Sequence, residues 1–106
     1  MIGDEIMNDS IHLDSVLNRA QAGLDLARQV LDRIRASGSV SLDLTNVDRI
    51  TPSFANAFVM TILDESGESD LPHSLTLLNP NDQVSREIAI SVDRYARGLR
   101  LTTQLA

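Results

Sequence analysis

Apolar and polar residues alternate with period two in three short segments of the chain. The segments are residues 10–14, residues 39–44 and residues 74–78. Successive side chains of a strand point to opposite sides, so this spacing predicts strands that each bury one side. We therefore expect three strands, separated by stretches with a different spacing.

Between these strands, apolar residues recur every three to four positions, which is typical of helices that bury one face. The first helix is predicted over residues 19–36 and the second over about residues 52–66. Thr51 is a favourable N-cap for the second helix, and Pro52 takes the first helical position, where a missing N–H costs nothing. The predicted buried stripe of the second helix is Phe54, Ala55, Phe58, Val59, Ile62 and Leu63.

A third helix is predicted to begin within residues 79–82 and to end at Gly98. Residues 100–105 then form either a short last strand or an ordered tail. The order strand, helix, strand, helix, strand, helix predicts parallel strands joined by crossover helices. Residues 1–9 lack such a pattern and are predicted to be a flexible acidic leader to a single domain, residues 10–106.

The strands alternate instead of being apolar throughout, so only one face of the sheet is predicted to be covered. The sequence indicates a two-layer α/β fold, with a mostly parallel central sheet of about four strands and the main helices on one face. The open face is either solvated or the place where a partner docks. The side chains predicted on the open face are His12, Ser41 and Thr76, and those predicted beneath the helices are Ile11, Leu13, Val40, Leu42, Leu75 and Leu77.

The composition narrows the class of protein. The chain has 106 residues, no cysteine, and 15 acidic against 9 basic residues, all of them arginine. A net charge of −6 repels phosphate backbones, and one tyrosine with two phenylalanines is no base-stacking platform, so nucleic-acid binding is not expected. Neither a membrane-spanning run nor a basic signal sequence is present, and we expect a cytoplasmic protein.

The residues that catalysis needs are scarce. Five glycines without clustering and the absence of lysine argue against a phosphate-binding loop. A triad of His12, Asp43 and Ser53 would lack a nucleophile elbow and a glycine-rich oxyanion loop. His12 with Asp14 offers too few ligands for a catalytic metal ion. We therefore expect no catalytic residue, no metal and no cofactor, and predict that the chain is not an enzyme.

Two neighbouring segments carry a resemblance to a known family. Residues 40–47 read Val-Ser-Leu-Asp-Leu-Thr-Asn-Val, and residues 50–57 read Ile-Thr-Pro-Ser-Phe-Ala-Asn-Ala. They resemble the STAS domains, whose best-known members are bacterial anti-sigma factor antagonists, and more closely a STAS-like bacterial family of unknown function. The resemblance extends over about residues 18–95 and is weak outside residues 40–58.

This resemblance implies a regulatory role and a candidate site. The antagonists carry a phosphorylated serine within Asp-Ser-Ser-Gly at the start of the equivalent helix, and that serine falls on Ser53 here. Thr51 stands in place of the aspartate and Phe54 in place of the glycine. Members of the STAS-like family are often encoded with, or fused to, histidine-kinase-like ATPase domains, so the implied partner is such an ATPase or a similar signalling protein.

The candidate partner-binding or regulatory residues cluster around the start of the second helix, and Ser53 is the candidate phosphorylation site. The helix N-terminus favours an anion there, although Ser53 is equally explained as a cap of its own helix. The function expected is a non-catalytic protein-interaction module, and the alternative is a small-ligand or nucleotide sensor using the same helix start. The six candidates are Asp43, Asn46, Thr51, Ser53, Phe54 and Asn56.

Two of these candidates have an alternative reading. Asp43 either orients the turn at Thr51 or hydrogen-bonds the turn directly after its own strand. Asn56 either extends the surface patch that begins at Ser53 or is an ordinary exposed helix residue.

Overall fold

The three predicted helices are present, and each follows a predicted strand, but two further short strands, one before the first helix and one before the second, were not predicted. The structure is a computed structural model that describes residues 10–12, 16–17, 19–67 and 71–105. The elements in chain order are β1 (Ser10–His12), β2 (Val16–Leu17), α1 (Ala20–Ser37), β3 (Val40–Asp43), β4 (Arg49–Ile50), α2 (Pro52–Ser66), β5 (Leu75–Leu78) and α3 (Asp82–Leu105).

The described strands form two sheets. One is a parallel sheet of three strands in the order β1-β3-β5, and the other pairs β2 with β4, also in parallel. The parallel arrangement is confirmed for each of these pairs, but the predicted single sheet of about four strands is not confirmed. β2 and β4 were not predicted, because two residues each are too few for a period-two pattern to show.

The alternation in β3 corresponds to a buried and a half-exposed face. Val40 and Leu42 are each 2% exposed, whereas Ser41 between them is half-buried. All three helices contribute residues to the same buried cluster as Val40 and Leu42, so the helices share one core on this face of β3. Burial of these two side chains is confirmed.

β5 follows the same register but is less completely covered. Leu75 lies opposite Val40 and is buried, and Thr76 is exposed, both as predicted. Leu77, opposite Leu42, is only partly buried, because it borders a groove that is open to solvent. The prediction that Leu77 is fully covered is therefore wrong.

Some predictions fall outside the described part of the chain. These concern the leader at residues 1–9, Leu13, and the side chains of Ile11 and His12. The described helices include none long and apolar enough to cross a membrane.

Glycine ends two of the helices as predicted but does not end the third. Gly38 and Gly67 have φ angles of 88° and 74°, and their N–H groups bond the carbonyls of Ile34 and Leu63. Gly98 is not among the described residues with positive φ, and α3 continues through it to residue 105. Its predicted role as a stop is wrong, and residues 100–105 are helical. A glycine inside a helix costs about 1 kcal/mol relative to alanine, which the rest of a long helix can offset.

At Gly23 the backbone of α1 approaches the backbone of α2 closely. A Cβ added to Gly23 would lie 2.4 Å from the carbonyl oxygen of Phe54 and 3.2 Å from the nitrogen of Phe58. Only a residue without a side chain permits this approach. The first turn of α2 is thus supported directly by α1.

Candidate functional site

The start of α2 is capped as the sequence predicts. The Thr51 hydroxyl accepts a hydrogen bond from the N–H of Phe54 at 3.2 Å, and the Thr51 carbonyl accepts one from the N–H of Ala55 at 3.0 Å. Pro52 follows as the first residue of the helix. Ser53 is exposed at the second helical position. Because Thr51 is the capping residue, Ser53 is not needed for that purpose.

Asp43 organises the loop after its own strand. Its Oδ1 accepts hydrogen bonds from the backbone N–H and the hydroxyl of Thr45, at 3.0 and 2.5 Å. The Thr45 hydroxyl in turn accepts a bond from Nδ2 of Asn79 at 3.1 Å. Asn79 has a φ of 55°, a left-handed conformation that asparagine tolerates. The loops after β3 and β5 are therefore joined, and Asn46 lies exposed beside this junction.

Asn81 binds the same loop from the start of α3. Its Oδ1 accepts the N–H of Val84 at 2.9 Å, which caps α3. Its Nδ2 donates to the carbonyls of Val47 and Asp48, at 3.3 and 2.8 Å. One side chain thus begins a helix and fixes the loop that precedes β4.

The side-chain amide of Gln83 forms hydrogen bonds with the backbone of β4, as a neighbouring strand would. Its Oε1 accepts the N–H of Ile50 at 3.0 Å, and its Nε2 donates to the carbonyl of Ile50 at 2.8 Å. On its other side Ile50 lies in register with Leu17 of β2. Ile50 is followed directly by the cap residue Thr51, so Gln83 holds the backbone immediately before the start of α2.

Asn81 and Gln83 are parts of the site that the sequence pattern does not indicate. Asn81 lay in the predicted helix start, but nothing in the local pattern indicated that either side chain reaches across to residues 47–50. Together with Asn79 they form what we call the clamp. Its members are Asn79, Asn81 and Gln83.

Phe54 and Asn56 face inward, which corrects their predicted role on a surface patch. Phe54 is 4% exposed and stacks on Phe58, with ring centroids 6.3 Å apart. The Oδ1 of Asn56 accepts a hydrogen bond from the buried hydroxyl of Ser91 at 2.7 Å, which joins α2 to α3. Both side chains support the fold beneath the candidate site.

The surface that remains is made of exposed residues in the loop after β3, in β4 and at the start of α2. We call it the rim, and its charged members have opposite signs at adjacent positions. Among the described residues, no group of three or more His, Cys, Asp or Glu is placed to hold a metal ion. The rim consists of Thr45, Asn46, Asp48, Arg49, Pro52 and Ser53.

A cavity beneath the start of α2 is too small for an organic ligand. It is an apolar void of about 10 Å³ beneath the start of α2, bordered by Ile50, Phe54 and Val84. A volume of that size holds about one water molecule, and an apolar lining gives a water no partners. This void is therefore too small to bind an organic ligand. What the start of α2 offers a partner is its exposed outer surface.

Comparison with known protein families decides to which one these elements belong. Residues 26–85 match the model of a family described as a STAS-like domain of unknown function (DUF4325). The chain belongs to this family. The matched part of the STAS-like domain contains β3, β4, α2 and β5, with the rim and the clamp. No curated protein and no solved structure matches the chain significantly.

Proposed function

We propose that this STAS-like domain is a regulatory protein-interaction module, without catalytic activity of its own, that binds a partner through the rim. The proposed partner is a histidine-kinase-like ATPase or a similar bacterial signalling protein, the class that the resemblance to STAS domains suggests. Of the six candidate residues, the rim keeps Asn46 and Ser53. The other four have structural contacts in this domain: Asp43 bonds Thr45, Thr51 caps α2, Phe54 is buried and Asn56 accepts a bond from Ser91.

The observation that carries this proposal is a helix start that is exposed outside and held firmly from beneath. Ser53 and Pro52 are exposed, while Thr51 caps the helix and Phe54 anchors it in the core. The clamp holds the preceding loop through Gln83 and Asn81. A surface ordered before binding loses little conformational entropy when a partner docks, which favours affinity.

A negative charge at Ser53 is compatible with this helix. An anion near a helix N-terminus stabilises it by about 0.3 to 1 kcal/mol, so Ser53→Asp or a phosphate should leave the domain folded. The same charge changes the surface that the partner meets. Phosphorylation of Ser53 would therefore regulate binding without unfolding, although Thr51 and Phe54 depart from the antagonists' motif.

Small-ligand or nucleotide sensing is the less supported function. It would need a concave pocket beside Ser53, and the void beneath the helix start measures about 10 Å³. A ligand that raised the melting temperature of the wild-type domain but not of Ser53→Arg would favour sensing over protein binding.

Affinity capture from the native host tests the proposal. The baits are the wild-type domain, Ser53→Asp, and Ser39→Asp, which makes the same change at an exposed serine before β3. We expect a signalling partner to be captured equally by wild type and Ser39→Asp, and its dissociation constant, measured with purified proteins, to change for Ser53→Asp. Equal binding by all three baits contradicts the proposal. ATP turnover by the domain alone would contradict its non-catalytic part.

A further inference from the structure

A groove of about 570 Å³ separates β5 from α3 and opens to solvent. Four large apolar side chains line it, Leu71, Leu77 of β5, and Ile88 and Val92 of α3. The other lining residues belong to α3 and are Ser85, Ala89, Asp93 and Ala96. The groove shares no residue with the rim, so it is a separate surface.

β5 is an edge strand beside this groove. The order β1-β3-β5 leaves its outer side without a strand partner among the described residues. Thr76, in the middle of β5, is exposed. An unpaired strand edge presents N–H and C=O groups on which another strand can pair.

Two oppositely charged side chains of α3 beside the groove are placed so that two copies of the helix could pair them. Arg86 and Asp93 are exposed and lie about two helical turns apart, on either side of Ala89. A second α3 running antiparallel, related by a two-fold axis near Ala89, would place Arg86 opposite Asp93 of the other copy, twice. Ala89 and Ala96 are small enough to let two helices approach closely.

We propose that a second copy of this chain covers the groove. The two β5 strands pair antiparallel at their edges, and the two α3 helices pack over them around the two-fold axis. Such an interface uses the same patch on both copies, as in most symmetric dimers. The groove's leucines and Val92 lose their contact with water, and Arg86 pairs with the partner copy's aspartate. This inference goes beyond the proposed function and does not depend on it.

The mass in solution tests the first part of the proposal. We expect the wild-type chain to have twice the mass of one chain by light scattering, and Ala89→Arg to have the mass of one. Gln29→Arg places the same side chain on an exposed position of α1 and should remain dimeric. Circular dichroism establishes that each variant is folded. A monomeric wild type at every concentration, or a dimeric Ala89→Arg, would overturn the proposal and leave the groove to a partner of different sequence.

A mixing experiment tests the proposed charge pair. In a homodimer of Arg86→Glu, each substituted residue would face Asp93 of the other copy. In a homodimer of Asp93→Arg, each substituted residue would face Arg86 of the other copy. Because like charges would then meet at both contacts, each variant should dimerise at least about tenfold more weakly. A mixture of the two variants restores opposite charges at both contacts and should form the mixed dimer with near wild-type affinity. Loss of the pair between Asp93 and Arg97 within α3, 2.9 Å long, would weaken Asp93→Arg but could not produce this rescue. Failure of the mixture to associate refutes the antiparallel arrangement.

Discussion

Replacing Gly23 by alanine sets helix propensity against packing. In an open helix this change stabilises by about 1 kcal/mol, because alanine loses less backbone entropy than glycine. At Gly23 the new Cβ would lie 2.4 Å from the carbonyl oxygen of Phe54 and 3.2 Å from the Cβ of Ala57. The first contact is with backbone, so no side-chain rotation relieves it.

The expected result follows from the balance of these two effects. To reach an ordinary contact distance, α1 and α2 must separate along the interface that both helices bury. Overpacking of this kind costs about 1 to 3 kcal/mol, and the upper part of that range applies because the contact is with backbone. After subtraction of about 1 kcal/mol for propensity, Gly23→Ala should destabilise the domain by about 1 to 2 kcal/mol.

Urea denaturation followed by circular dichroism measures the difference. Gly98→Ala is the matched control, because it lies within α3 and nothing stands within 4 Å of the added Cβ. The control should be neutral or stabilising by up to about 1 kcal/mol. If Gly23→Ala stabilised the domain as much as the control, the close approach of α1 to the start of α2 would be refuted.

Three further changes test other contacts. Leu42→Ala should lower the free energy of unfolding by about 2 to 5 kcal/mol, because it opens a cavity in the core. Ser41→Ala, on the opposite side of β3, should change the free energy of unfolding by less than about 0.5 kcal/mol. Equal effects of the two substitutions would contradict the one-sided burial of β3. Gln83→Ala removes both hydrogen-bond partners of the last β4 residue and should cost about 1 to 3 kcal/mol in the same assay, and an unchanged midpoint would mean that water replaces the amide. The hydrogen bond from the Tyr95 hydroxyl to Asp64, 2.6 Å long, raises the pKa of Tyr95 above its ordinary value. This contribution to stability is present below the unfolded-state pKa of tyrosine and is lost as the pH rises through the folded-state pKa. In an ultraviolet titration of this single tyrosine, Asp64→Ala should lower the midpoint, and an unmoved midpoint would exclude the hydrogen bond as the cause.

The sequence by itself determined the local features of this domain. Thr51 and Pro52 specify the start of α2, because an N-cap oxygen and a preset φ act within one helical turn. Alternation in β3 predicted which side chains are buried, and helical spacing already grouped Phe54 with Phe58 on the buried side. The short motif around these residues was sufficient to indicate the family, which the match over residues 26–85 confirms.

Only the tertiary structure decided how the elements meet. Gln83 bonds Ile50 across a separation of 33 residues, and no local pattern tells which backbone groups a distant amide will find. Asn56 is polar, and its placement against Ser91 depends on how α3 packs on α2. The same packing leaves Leu77 partly uncovered, although alternation predicted its burial. Local preferences act over a turn or a strand, whereas these contacts arise from the approach of elements far apart in the chain.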